Sequence, residues 1–127
     1  MKPLILYAED DRDLAELFCD SMEKAGYDVN LAKNKREALE MYQKEAPDVI
    51  VLDISRPLKD GFEVLKKIRE SDSRTPILMI STDWDDESET MGIILGVDKY
   101  LRHKVPRNLL AIIEYLMRFY PVNRDKN

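Results

Sequence analysis

The sequence predicts an α/β fold in which one parallel β-sheet is covered by helices on both faces. Short apolar runs that fit buried strands alternate five times with segments of helical periodicity along the 127 residues. The central runs are apolar at consecutive positions, as expected for strands that are buried on both sides. A chain with this order of elements forms right-handed crossovers and one domain.

Five strands are expected from the apolar runs. In chain order they are residues 4–8, 27–31, 49–52, 77–80 and 97–101. The second run alternates between apolar and polar residues, which is typical of a strand at the edge of a sheet. The fifth run is the weakest of the five.

Helical spacing predicts five helices between and after these strands. In the first helix Leu14, Phe18 and Met22 recur at intervals of four residues, and Gly26 ends the helix. The charged segment of the third helix, residues 66–70, is expected to be a solvated face. The other helices are marked by Ala38, Leu39 and Tyr42, by Phe62, Leu65 and Ile68, by an irregular stretch over 86–95, and by Leu109, Ile112, Ile113, Leu116, Met117 and Tyr120.

Composition narrows the class of protein. The net charge of −5 argues against a broad nucleic-acid-binding face on this domain. Cys19 is the one cysteine, so no internal disulfide can form, and a free thiol suits a reducing cytoplasm. The apolar runs are far shorter than the roughly 20 residues of a membrane span. We therefore expect a cytoplasmic domain over 1–121, followed by a polar tail or linker over 122–127.

Acidic side chains collect where the predicted strands end. Glu9, Asp10 and Asp11 follow the first strand, and Asp53 follows the third. Asp11 is expected to stabilise the start of the first helix. The other three are expected to share one site, because ligands of such sheets bind beyond the carboxyl ends of the strands. Like charges held together there need a divalent cation, and an all-oxygen ligand set favours Mg²⁺ over Zn²⁺.

Four motifs appear in order at the ends of these strands. The most specific is "PDVIVLDISRPLKDGFEVLKKIR", which places Asp53, Pro57, Asp60 and Gly61 after an apolar strand. The others are "ILYAEDD", "TPILMIST" and "GVDKYL". With these motifs the whole chain resembles the receiver domains of two-component response regulators. The resemblance implies a flavodoxin-like, doubly wound five-stranded sheet with strand order 2-1-3-4-5.

The resemblance also implies a phosphoacceptor and a metal site. Asp53 would accept a phosphoryl group from a phosphohistidine on a sensor histidine kinase or a phosphotransfer protein. Asp10, Asp53 and the backbone carbonyl of Ser55 would hold Mg²⁺, with Glu9 acting through water. Such a domain is a self-phosphorylating switch rather than an enzyme, and its chemistry needs little beyond positioning and charge neutralisation.

A second set of residues would read out the phosphoryl group. By resemblance, Ser81 would hydrogen-bond the acyl phosphate, and Tyr100 would rotate inward behind it. Thr82 stands where the family usually has Ala or Gly, which narrows access to the phosphate. Taken singly, Ser81 fits an ordinary strand-end hydroxyl and Tyr100 fits a core residue; their company favours the switch.

The chain departs from the family after the fifth strand. The lysine that usually pairs with the phosphate, followed by proline, would fall on His103, while Lys104 takes the place of the proline. Three interpretations stay open. A local bulge brings Lys104 into the pocket, protonated His103 substitutes for the lysine, or the pocket lacks its cation.

Other functions compete with the switch. A pseudo-receiver, acting as a phosphorylation-independent interaction module, is suggested by the shifted lysine. A phosphatase with an aspartyl-phosphate intermediate usually carries a second aspartate where this chain has Ser55. A flavodoxin-like FMN carrier would need a phosphate-binding loop after the first strand. The sequence leaves open a homodimer and a fused or separate output domain.

Overall fold

A computed structural model describes residues 2–53, 59–81, 85–102 and 106–119. Its core is a five-stranded parallel sheet in the order β2-β1-β3-β4-β5, which confirms the predicted fold and strand order. The second strand lies at an edge, as its alternating pattern predicted. The strands are β1 (Leu4–Glu9), β2 (Asp28–Ala32), β3 (Val49–Asp53), β4 (Ile77–Ile80) and β5 (Lys99–Leu101).

The helices follow the predicted order. They are α1 (Arg12–Lys24), α2 (Lys35–Lys44), α3 (Lys59–Arg69), α4 (Asp86–Leu95) and α5 (Pro106–Phe119). No helix in the described ranges is long and apolar enough to cross a membrane.

Three strands differ from the predicted bounds by one residue at one or both ends, β4 agrees with them, and β5 begins two residues later. The strand begins at Lys99 rather than at residue 97. The reason is that the Val97 N–H still bonds to the Gly92 carbonyl oxygen at 2.9 Å, in the turn that ends α4. The Asp98 N–H then bonds to the Ile77 carbonyl oxygen at 3.0 Å, where pairing with β4 begins.

Two apolar cores cover the two faces of the sheet. Alternate residues of β1 face opposite sides, so Ile5 and Tyr7 pack with Phe18 of α1, whereas Leu6 and Ala8 join the other core. The first core is completed by α5 and the second by α2 and α3. The carboxyl ends of β1 and β3 are neighbours at one edge of the sheet. This edge positions the acidic residues described below.

Side-chain caps fix where the helices begin. The Leu14 N–H donates to Asp11 Oδ1 at 3.1 Å, so Asp11 belongs to the start of α1 as predicted. Asp85 caps α4 in the same way, accepting from the Ser88 N–H at 2.8 Å. Gly26 follows α1 with φ 104°, a left-handed conformation that glycine adopts without strain.

Helix α4 is the least amphipathic helix, in agreement with its irregular sequence. Its one buried residue is Gly92, while Ile93 and Ile94 are 61% and 71% exposed. Leu95, at the end of the helix, is partly buried and packs against the core.

Candidate functional site

Glu9 and Asp53 lie side by side at the carboxyl ends of β1 and β3. The parallel register makes them direct partners across the two strands. Both are buried, with 2% of Glu9 and 1% of Asp53 exposed. Two neighbouring negative charges with little water around them repel one another. The strands thus bring together two of the three acidic residues that the sequence predicted for this site.

The Glu9 carboxylate is held by a donor on each oxygen. The Tyr7 hydroxyl donates to Glu9 Oε1 at 3.1 Å, and the Asp11 backbone N–H donates to Oε2 at 3.0 Å. Burial raises the pKa of Tyr7, and the nearby Glu9 and Asp53 carboxylates raise it further. Tyr7 lies within the apolar run 4–8, which predicts a buried strand and no role for its hydroxyl. Its two-residue spacing from Glu9 puts both side chains on one face of β1, and that spacing was the available signal.

Asp10 faces a different environment from its neighbour. It is exposed and lines an open pocket of about 420 Å³ beside α1 and the end of β2. An exposed carboxylate in this position is accessible to a hydrated cation. The pocket is lined by Glu9, Asp10, Arg12, Ala15, Glu16, Leu31 and Lys33.

Ser81 and Tyr100 lie on the other side of Asp53, near β4 and β5. Ser81 is 2% exposed, and its N–H donates to the Leu101 carbonyl oxygen at 3.0 Å. Tyr100 is half-buried, and a hydrogen bond with the Glu89 carboxylate raises the pKa of its hydroxyl. Glu89 also accepts from Arg102 Nη2 at 3.3 Å. The Tyr100 hydroxyl is thus connected to α4 through Glu89, whose carboxylate also pairs with Arg102.

Several predicted site residues lie outside the described part of the chain. They are Ser55, Pro57, Thr82, His103 and Lys104. The choice between Lys104 and His103 therefore stays a prediction, as does the Ser55 carbonyl ligand. Within the described ranges, no three His, Cys, Asp or Glu side chains converge on one metal position. The Mg²⁺ prediction depends on adding other oxygen donors to Glu9, Asp10 and Asp53.

A second charged cluster lies at the amino end of the sheet, and in it a basic side chain is paired with an acidic one. Arg69 of α3 donates to Asp98 Oδ2 at 2.8 Å, to the Gly96 carbonyl oxygen at 2.9 Å and to the Asp72 carbonyl oxygen at 2.9 Å. The Arg69 side chain is 11% exposed. The prediction that it belongs to a solvated face is wrong, because its guanidinium joins α3 to the end of α4 and the start of β5.

Sequence comparison gives the family. The response regulator receiver domain matches residues 5–114. The alkaline phosphatase synthesis transcriptional regulatory protein PhoP of Bacillus subtilis is 34% identical over 119 residues, which cover 93% of this chain and 50% of that protein. Response regulator MprA of Mycobacterium leprae is 36% identical over 115 residues, with 90% and 50% covered. The chain spans about half the length of these curated relatives.

Solved structures resemble the chain along nearly its whole length. The Vibrio cholerae chemotaxis protein CheY4 has a TM-score of 0.84 at 29% identity and covers 91% of this chain. That match uses 99% of the CheY4 chain. A CheY-like receiver domain protein from Methanospirillum hungatei has a TM-score of 0.84 at 26% identity, with 93% of this chain and 96% of that chain covered.

Proposed function

Since the chain belongs to the receiver domain family of two-component response regulators, whose function is phosphorylation-based signalling, we propose that Asp53 is its phosphoacceptor. One observation carries this proposal. Asp53 is the buried carboxylate at the carboxyl end of the central strand β3, in register with Glu9. Ligands of sheets with this topology bind at that end. The partner is a sensor histidine kinase or a phosphotransfer protein.

The transfer makes one bond and breaks one. An Asp53 carboxylate oxygen forms a bond to phosphorus as the bond between phosphorus and the partner's histidine nitrogen breaks. The electron pair of the broken bond stays with the imidazole. Ser81 then donates its hydroxyl hydrogen to a phosphoryl oxygen, and Tyr100 leaves its contact with Glu89 to turn inward. Such a transfer depends on alignment and on positive charge near the phosphoryl oxygens.

The donor set fits Mg²⁺. Asp10 and Asp53 with the Ser55 backbone carbonyl would hold the ion, and Glu9 would act through water; all of these donors are oxygens, which a hard cation prefers. When bound, the ion supplies positive charge that neutralises the carboxylates and the phosphoryl group. The domain keeps the phosphoryl group on Asp53 and does not convert a substrate into a product, so it acts as a switch. Nothing in the comparisons favours the phosphorylation-independent alternative.

Labelling of Asp53 tests the proposal. We expect a small acyl-phosphate donor to phosphorylate the wild-type protein in the presence of Mg²⁺, as followed by intact mass and peptide mapping. Asp53→Asn should abolish labelling and keep its fold, because the two side chains are nearly isosteric. Asp28→Asn, at an exposed position at the other end of the sheet, should label like the wild type. An unreactive wild type, or a labelled Asp53→Asn variant, contradicts the assignment.

The phosphate-binding cation is tested by a pair of variants. We propose Lys104, because an ammonium within a few ångströms of the phosphoryl group would gain up to ~4 kcal/mol before desolvation at a dielectric constant near 20. Lys104→Ala should strongly reduce switching, and His103→Ala should change it little. The reverse result, with switching that weakens as pH rises through the imidazole titration, would identify His103. Full switching in both variants would show that the pocket works without this cation.

Domain bounds and location complete the proposal. We place the receiver domain at 1–121 and a tail or linker at 122–127, in a cytoplasmic protein. The chain spans about half of PhoP and MprA, and PhoP is a transcriptional regulatory protein. An output domain, fused or separate, is therefore proposed beyond this chain. Size-exclusion chromatography with and without the acyl-phosphate donor distinguishes a monomer from a homodimer.

A further inference from the structure

The Tyr7 hydroxyl is a polar group inside one of the two apolar cores. Tyr7 is 0% exposed, and its ring meets Phe18 edge-on at 6.5 Å between centroids. Ile5 and Val51 belong to the same core. A ring packed on all sides cannot reorient freely, so the position of its hydroxyl is fixed by the fold rather than by the hydrogen bond that it makes.

The second donor to Glu9 is fixed as well. The Asp11 N–H that bonds Glu9 Oε2 belongs to the residue whose side chain caps α1 by accepting from the Leu14 N–H. The helix start thus locks the backbone donor, and the core locks the phenolic donor. With one rigid donor on each oxygen, the Glu9 carboxylate has one favoured rotation about its terminal bond.

We infer that Tyr7 is a positioning residue for the metal site, which holds the Glu9 carboxylate in the orientation that presents it to the cation beside Asp53. The inference rests on the proposed function, because it takes Glu9, Asp10 and Asp53 as residues of the proposed Mg²⁺ site. Removing a residue that orients a metal ligand commonly weakens metal binding by a factor of 10 or more. A phenylalanine would fill the same core volume, so packing alone does not require the hydroxyl.

The chain offers a matched control for the hydroxyl. Tyr42 donates its hydroxyl to Asp72 Oδ2 at 2.6 Å, at the opposite end of the sheet. Tyr42→Phe and Tyr7→Phe each remove one tyrosine–carboxylate hydrogen bond from the fold. A general loss of stability would follow from both changes. A loss of metal binding should follow from Tyr7→Phe alone.

Titration calorimetry with Mg²⁺ at constant ionic strength provides the first measurement. We expect Tyr7→Phe to weaken Mg²⁺ binding roughly tenfold, and Tyr42→Phe to change it by less than about twofold, since distant sites act independently. In a Glu9→Gln background the effect of Tyr7→Phe should disappear, because the carboxylate that it orients is gone. Unchanged affinity in Tyr7→Phe, or equal losses in both phenylalanine variants, would overturn the inference.

A second measurement works without metal and separates this inference from the proposed function. The side-chain carboxyl carbon of Glu9, observed by ¹³C NMR in metal-free protein, should shift in Tyr7→Phe and stay in place in Tyr42→Phe. An unshifted Glu9 signal in Tyr7→Phe overturns the inference whatever the metal does. Absence of Mg²⁺ heat in the wild type overturns the Mg²⁺ site itself, even if the Glu9 signal responds to Tyr7→Phe.

Discussion

Acidic side chains lie at both ends of the sheet, but their surroundings differ. At the amino end, Asp98 accepts from the Arg69 guanidinium and from the Ile77 N–H, both at 2.8 Å. At the carboxyl end, Glu9 and Asp53 are register partners, and each is a carboxylate beside another carboxylate. Opposite charges are matched at one end, and like charges are juxtaposed at the other.

Asp72 completes the matched end. Its Oδ2 accepts from the Thr75 hydroxyl and the Tyr42 hydroxyl, both at 2.6 Å, and its Oδ1 accepts from the backbone N–H groups of Arg74 and Thr75. These bonds tie α2 and α3 to the start of β4. The amino end is therefore built to hold the fold together.

The difference indicates that the carboxyl end of the sheet is less stable than it could be because its residues serve a function. Holding two carboxylates side by side and away from water costs free energy, and such arrangements cluster at functional sites. The site is thus expected to gain stability from cations, and the amino end is expected to be indifferent to them. Four predictions can break or sharpen this contrast.

The largest effect is expected for Arg69→Met. This substitution removes the cation that pairs with Asp98. Of the two donors to the mostly buried Asp98 carboxylate, the Arg69 guanidinium and the Ile77 N–H, the second remains. We therefore expect a loss of about 3 kcal/mol in the free energy of unfolding. Urea unfolding at neutral pH measures it. Arg36→Met is the control, because that arginine pairs with Glu40 on an exposed helix face and should cost about 0.3 kcal/mol. Similar losses in both variants would refute the proposed clamp.

Asp72→Asn comes next, and its effect depends on pH. Burial opposes ionisation of Asp72, but hydrogen bonds from Thr75 and Tyr42 outweigh it and hold the pKa of this carboxyl below its ordinary value. A lowered pKa stabilises the fold above the unfolded-state pKa, and that stability is lost as pH falls through the folded-state value. We expect a loss of about 2 kcal/mol at pH 7.

Acid unfolding curves check the sign of that effect. Below a pH of about 4, wild-type stability should fall more steeply than that of Asp72→Asn, so the two curves should converge. Parallel curves down to acid pH would show that Asp72 is not the group that titrates. Tyr42→Phe should give a smaller change in the same direction.

The same contrast shows what the sequence could and could not predict. The apolar runs and the acidic residues at their ends were sufficient for a parallel sheet and for a site shared by Glu9 and Asp53, because parallel strands bring their carboxyl ends to one edge. The strand order came from the resemblance to the receiver domain family. The Arg69 cluster was missed, since its partner Asp98 lies 29 residues away and charged helix residues are usually solvated. The role of Tyr7 was missed because a buried aromatic in a strand is ordinarily core.

A smaller loss of stability is expected when either of two glycines is replaced by alanine. Gly26 and Gly96 have φ of 104° and 98°, so alanine is strained at both, at about 1 kcal/mol. A Cβ at Gly96 would lie 3.1 Å from Arg69 Nε, whereas one at Gly26 would have nothing within 4 Å. Gly96→Ala should therefore cost about 1 kcal/mol more than Gly26→Ala. Equal costs would show that the Arg69 side chain yields easily.

The smallest effect is expected at the other end of the sheet, from Asp10→Asn. Removing one charge from the cluster relieves repulsion with Glu9 and Asp53, so metal-free Asp10→Asn should melt about 2 °C above the wild type. Excess Mg²⁺ should reverse the order, because the wild type alone keeps the full ligand set and gains stability by binding. Asp28→Asn, at an exposed position away from the cluster, should show neither change. A lower Tm for metal-free Asp10→Asn would mean that Asp10 is matched by a cation of the protein itself, and the two ends of the sheet would then differ less than their register suggests.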